Sequence, residues 1–271
     1  MHAGQPVSPI FVGGVPRSGT TLVRVILDSH PEVFCGTELR AIHALANLWS
    51  TADGSARSLL ADYYGVDADL LRRVFAQLIL SFLEPAWRAS GKRRIAEKTP
   101  SNLLVFPQLR VLFPESPLVH VIRDGRDVVA SRLERDKAAA RAPIDAVAVA
   151  STRAREWVDA MSLRRRLLSE HGSSGRYLEI RYERLVNEPQ RVLPELFEFI
   201  EERFDARVLD FHRIARNVSG TEEWSAETVS RPIFTSSAGR WRGSLSAAEA
   251  AAVMDVAGET LRELGYDHHE R

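Results

Sequence analysis

Ile10-Phe11-Val12-Gly13-Gly14-Val15-Pro16-Arg17-Ser18-Gly19-Thr20-Thr21-Leu22 reads as strand, turn and helix in immediate succession. The apolar run from Pro9 to Val15 shows no polar alternation, the pattern of a short strand buried on both faces. Gly13-Gly14 ends it. From Thr20 the apolar positions Leu22, Val23, Ile26 and Leu27 repeat on one helical face until His30-Pro31 stops them. A glycine turn feeding a helix N-terminus makes an anion cradle, because its amides point inward and the helix end carries partial positive charge. Residues 13–22 have the layout of a Walker A loop but end in Gly19-Thr20-Thr21 instead of Gly-Lys-Ser/Thr. Arg17 supplies the charge as a planar fork suited to a phosphoryl or sulfuryl group. The competing reading is a glycine turn with a solvated arginine; the strand before and helix after favour the anion site.

Working outward, Ile95-Ala96-Glu97 is a short strand candidate, Pro117 to Ile122 a better one, and Tyr177 to Tyr182 another. Helical patterns cover Glu38 to Trp49, Asp67 to Ser90 with a bend allowed at Pro85, Asn102 to Phe113, Asp124 to Arg135, Asp145 to His171, Pro189 to Glu201 and Asp205 to Asn217. Residues 218–245, rich in Ser, Thr and Gly, read as a long functional loop. Ser246 and Glu249 form a capping box, and Gly265 closes the helix they begin. Strands alternating with helices predict a P-loop-type, three-layer α/β fold with a central, mainly parallel sheet flanked by helices, residues 1–271 forming one domain. Such sheets present ligands at the carboxyl ends of their strands.

The 271 residues carry 36 Lys+Arg against 36 Asp+Glu, with 45% hydrophobic and 27% charged residues, an ordinary globular composition. A zero balance argues against a bulk nucleic-acid binder while leaving room for a local basic pocket. Lysine occurs only at Lys92, Lys98 and Lys137, so 33 of the cations are arginine. The single Cys35 forms no intrachain disulfide, and Ile10-Phe11-Val12 is far too short for a signal core or membrane span. The expected setting is cytoplasmic. No metal-ligand constellation stands out, since His268-His269 is a tail pair, so no metal is expected.

A second charged turn, Val119-His120-Val121-Ile122-Arg123-Asp124-Gly125-Arg126-Asp127, follows the Pro117–Ile122 strand. Arg123 and Ser131 converge on one anion only if the helix packs back on the sheet. Asp124 and Asp127 suit the dipole of that helix, with Arg126 and Arg132 expected in solvent. Glu38 allows two readings: a general base, or a first-turn acid of its helix.

Pro16-Arg17-Ser18-Gly19-Thr20-Thr21-Leu22 resembles the 5′-phosphosulfate loop of sulfotransferases that use 3′-phosphoadenosine 5′-phosphosulfate (PAPS). The stretch from Phe11 to Glu38, with Asp28-x-His30-Pro31 and Cys35-Gly36, is most similar to tyrosylprotein sulfotransferases, and patches recur to Trp241. The resemblance implies that Arg17, Ser18, Gly19, Thr20 and Thr21 hold the phosphosulfate. It implies that residues 119–135 form the 3′-phosphate site through Arg123, Ser131 and Arg135. Tyr182 would contact the nucleotide, and Arg240 and Trp241 in Gly239-Arg240-Trp241-Arg242-Gly243 would close over it. Glu38 would be the catalytic base, Lys98 would hold the bridging oxygen, and Ser225 matches a serine near the leaving group. PAP would be the product, the acceptor a peptide or protein tyrosine or a small phenolic substrate, and a homodimer the assembly.

Three departures qualify this. Small-molecule cytosolic members carry a histidine base where this chain has Pro100, which strengthens Glu38. Animal tyrosylprotein members are membrane-anchored, disulfide-bonded Golgi enzymes, whereas here the cysteine that would partner Cys35 is Ala96. The family reads acidic flanks of the tyrosine with basic side chains after the glutamate; Arg40 remains, but Ala44 stands one turn on. Remaining alternatives are transfer to a small-molecule or glycan hydroxyl, a P-loop kinase, or a nucleotide-binding module without chemistry.

Overall fold

The computed structural model describes residues 8–172, 175–214 and 231–266. Its centre is one sheet of five strands, β1 (Ile10–Gly14), β2 (Val33–Cys35), β3 (Arg94–Lys98), β4 (Leu118–Ile122) and β5 (Tyr177–Arg181), in the order β2-β3-β1-β4-β5. Every pairing is parallel. All five residues of β1 are buried, as are all five of β4, which explains why β1 is apolar throughout and β4 is apolar apart from the buried His120.

Alternate residues of these strands feed two separate cores. Ile10, Val12, Val119 and Val121 pack with Val23, Ile26 and Leu27 of α1 (Thr20–Ser29) and Leu193, Leu196 and Phe197 of a helix over Pro189–Phe199. Phe11, Leu118 and Ile122 face the opposite way, toward Ile42 of α2 (Ala41–Ser55), Leu71 and Ile79 of a helix over Ala68–Ser90, Val128 and Val129 of a helix over Gly125–Ala139, and Trp157 of a helix over Ala146–His171. The period of two in the strands thus produces the three layers. The last helix, Ala247–Glu263, carries the expected reciprocal capping box of Ser246 and Glu249. Among the described residues no helix is long and apolar enough to cross a membrane.

Several local expectations change. β2 is only Val33-Phe34-Cys35, too short for a sequence period to reveal. It sits in register with β3 so that Cys35 is the partner of Ala96, the position expected to lack the second cysteine. The second helix begins at Ala41, so Glu38 lies in the β2–α2 connection instead of a first helical turn. Within the expected Asp205–Asn217 helix, Ala206–Asp210 is a 3-10 turn followed by a short helix over Phe211–Ile214, and residues 215–217 lie outside the described residues. The proposed closing loop is helical at Trp241–Ser244.

Candidate active site

The carboxyl edge of the sheet gathers the turns after β1, β2, β3 and β4 around one cavity of about 410 Å³. The turn after β1 is built on tight backbone packing. A side chain at Gly14 would meet Val121 O at 2.6 Å, and one at Gly19 would meet the Tyr182 ring at 2.4 Å. Gly19 also has φ +102°, a left-handed conformation that only glycine adopts without strain. Arg17 has φ +78° despite its side chain, a strained backbone of the kind found in ligand loops.

Arg17 and the β4 turn meet directly. Arg17 Nε donates to Ser131 Oγ at 2.9 Å, and Arg123 Nη1 donates to the Arg17 carbonyl at 3.1 Å. The helix after β4 therefore packs back on the sheet, the condition that convergence of Arg123 and Ser131 required. Arg123 is buried, its guanidinium 4.5 Å over the Tyr182 ring, and it donates to the Ser237 carbonyl. Its Nε and the Ser18 Oγ are buried with no hydrogen-bond partner. Burial, then the charges of Arg123, Arg135 and Arg240, push the Arg17 pKa down. Crowding four arginines at one end of a cavity is costly without an anion between them.

The other end holds a carboxylate and an ammonium. Lys98, the last residue of β3, is fully buried, and its Nζ donates to Glu38 Oε1 at 2.7 Å and to Thr21 Oγ1 at 3.4 Å. Glu38 keeps one fifth of its side chain exposed, lines the cavity and faces Arg40 Nε at 3.6 Å. The loop bearing it is pinned from below: buried Glu97 accepts from the Leu39 N–H at 3.0 Å, from Thr99 Oγ1 at 2.7 Å and from Asn102 Nδ2 at 2.5 Å. Burial raises the Glu97 pKa, against those three hydrogen bonds and Lys98. Thr20, Thr99, Pro100 and Ser101 also line the cavity, together with the largely apolar Tyr182, Val186, Phe211, Ile233 and Phe234.

A model of the sulfotransferase family matches residues 9–206. The chain belongs to the sulfotransferase family. It is 30% identical to protein-tyrosine sulfotransferase A of Caenorhabditis elegans, over 95% of this chain and 67% of that one. It is 29% identical to human protein-tyrosine sulfotransferase 1, over 98% of this chain and 71% of the human chain. In fold it matches the sulfotransferase domain of the curacin biosynthetic pathway, with TM-score 0.65, 20% identity and coverage of 95% of this chain and 98% of that one. It also matches mouse sulfotransferase SULT7A1 in complex with PAP, with TM-score 0.60, 15% identity, and coverage of 97% and 87%.

In this sulfotransferase the cavity brings together Arg17, Gly19, Thr20, Thr21, Glu38, Arg123, Ser131, Arg135, Tyr182 and Arg240, with Lys98 beneath Glu38 and Ser18 buried behind the loop. Trp241 is not among the lining residues. Its ring lies between Arg126, 4.5 Å away, and Arg242, 4.8 Å away. Ser225 lies outside the described residues. Arg126, expected in solvent, is buried: it grips Asp124 at 2.8 Å and the Tyr266 carbonyl at 2.5 Å. Arg132 is only 15% exposed and pairs with Glu156 at 2.5 Å. Asp127 is fully buried instead of serving the helix dipole from the surface. Glu97 and Asp127 are the residues that reading the sequence overlooks, because each looks like an ordinary surface acid beside a cation. Among the described residues no group of three His, Cys, Asp or Glu side chains is arranged to hold a metal.

Proposed function

We propose that this sulfotransferase moves the sulfuryl group of PAPS to the hydroxyl of a peptide or protein tyrosine. The observation that carries the reading is the Glu38–Lys98 pair at 2.7 Å, placed at the far end of a cavity whose near end is crowded with arginine. The residues present fit the donor. Arg123 Nε and Ser18 Oγ are buried polar atoms without partners beside the turn, and Gly19 lets the Tyr182 ring pack directly on it. Arg17, Thr20 and Thr21 would hold the phosphosulfate, Arg123, Ser131 and Arg135 the 3′-phosphate, and the wall of Phe211, Ile233 and Phe234 the base.

Glu38 takes the phenol proton as the acceptor oxygen forms its bond to sulfur. The bond from sulfur to the bridging oxygen breaks in line, and its electron pair remains on the 5′-phosphate. Lys98 and the Arg17 guanidinium place positive charge where that negative charge develops. A phenol of pKa near 10 needs such a base at neutral pH. The tyrosine acceptor is supported by the names of the relatives and by Pro100 standing where a histidine base would be expected.

The test is incubation with sulfur-labelled PAPS and a panel of tyrosine peptides, simple phenols and sugars, alongside calorimetry with PAP and with Mg-ATP. Labelled peptide and metal-free PAP binding are expected. Label on sugars alone would overturn the acceptor, and binding of Mg-ATP without PAP would overturn the donor.

A further inference from the structure

Asp127 sits in the first turn of the helix over Gly125–Ala139, four residues past Arg123, and none of it reaches solvent. Its Oδ2 accepts the Gly239 N–H at 2.8 Å, and its Oδ1 accepts the Trp241 N–H at 3.0 Å. The amides on either side of Arg240 therefore end on one carboxylate. Gly239 has φ +75°, the left-handed turn that brings the segment round. Arg123 Nη2 stands 3.6 Å from the same Oδ2 and also donates to the Ser237 carbonyl. Arg240 then reaches across to Glu134 at 2.6 Å while lining the cavity beside Arg17.

An exposed first-turn acid gains little through the helix dipole. Burying a carboxylate is costly unless it is hydrogen-bonded and charge-compensated. Asp127 is compensated by the two loop amides and by Arg123, which ties the arginine of one phosphate site to the segment that covers the cavity. We propose that Asp127 is a positioning residue: it seats the Ser237–Trp241 segment so that Arg123 and Arg240 face the donor together, and thereby sets selectivity for a nucleotide bearing a 3′-phosphate. The inference deepens the donor reading above and rests on it.

Calorimetry on the full chain compares PAP with 5′-AMP, which lacks the 3′-phosphate. In Asp127→Ala the Kd for PAP is expected to rise at least tenfold, with that for 5′-AMP changing less than twofold. In an Arg240→Ala background the same substitution is expected to cost clearly less than in the wild type, because part of its effect passes through that arginine and the rest through Arg123. Seating is also read without ligand, as tryptic cleavage after Arg240 and Arg242, expected to accelerate at least tenfold. Asp127→Asn keeps the shape and removes the charge, so it carries the same comparisons if the alanine variant does not fold. Equal loss of both nucleotides, additive losses with Arg240→Ala, or unchanged cleavage would each overturn the proposal. If the wild type binds no PAP the donor reading fails, and the cleavage rates still decide whether Asp127 seats the segment.

Discussion

Glu38→Ala has two separable consequences, because Glu38 is both the proposed base and a carboxylate partner, at 2.7 Å, of a fully buried ammonium. Removing one member of a buried ion pair strands the other at a cost of about 3–5 kcal/mol. Glu38 opens onto the cavity with one fifth of its side chain exposed, so water can reach the stranded Lys98 and the lower figure applies. At roughly 2–4 °C per kcal/mol for a chain of this size, about 3 kcal/mol lowers Tm by about 6–12 °C. Adding Lys98→Ala should restore part of that loss, since no charge is then left alone. Glu38→Gln should lower Tm less than Glu38→Ala, because its amide oxygen still accepts from Lys98, yet cost about 10²–10⁴ in kcat by removing the base. The assays are thermal unfolding by circular dichroism and steady-state transfer to a tyrosine peptide at saturating donor. The reasoning fails if Glu38→Gln keeps kcat within threefold of wild type, or if Glu38→Ala and the double variant unfold at the same temperature.

Gly19→Ala should weaken PAP binding more than tenfold, since its Cβ would lie 2.4 Å from Tyr182 on a backbone at φ +102°; calorimetry beside a wild-type control checks this. Tyr182→Phe should keep PAP affinity within twofold and Tyr182→Ala lose about fivefold, because the ring under Arg123 is worth about 1 kcal/mol; equal losses in both would refute it. Buried Glu97 has a pKa raised above the usual carboxylate value, so the native chain keeps a proton that the unfolded chain gives up, and wild-type stability falls as pH rises through that window. Glu97→Gln removes this term, so urea midpoints should show the variant gaining on wild type from pH 4.5 upward; a constant difference would count against it. Buried His120, held down to a pKa of about 3 by burial, acts oppositely: the unfolded chain takes up its proton first as pH falls below about 6.5, so acid weakens the fold. His120→Asn should flatten that acid limb in the same urea titrations.

Much of the architecture is legible in local chemistry. Short apolar-rich runs bounded by turns, such as Ile10-Phe11-Val12 and Leu118 to Ile122, suit strands covered on both sides, and such strands joined by helices favour a parallel sheet. The glycine turn ending in Gly19-Thr20-Thr21 is legible for the same reason, because close backbone approach and a helix N-terminus are local properties. Helix α2 starts three residues beyond Glu38, at Ala41, because the Leu39 N–H is held by the buried Glu97, a tertiary contact that the local sequence does not carry.

Charge was the least legible feature. In the linear chain Asp124, Arg126, Asp127 and Arg132 look like solvated groups on a helix, because nothing within a few residues shows what packs over them. Folding brings Gly239 and Trp241 to Asp127, Tyr266 to Arg126 and Glu156 to Arg132, contacts spanning up to 140 residues. The chemistry of the site was therefore written in residue types along the chain: a loop that cradles an anion, an arginine after a strand, a glutamate and a rare lysine. Which of those charges are buried, and which carboxylate holds which arginine in place, follows from long-range packing, because a charge's cost and partner depend on the desolvation that only the assembled layers impose.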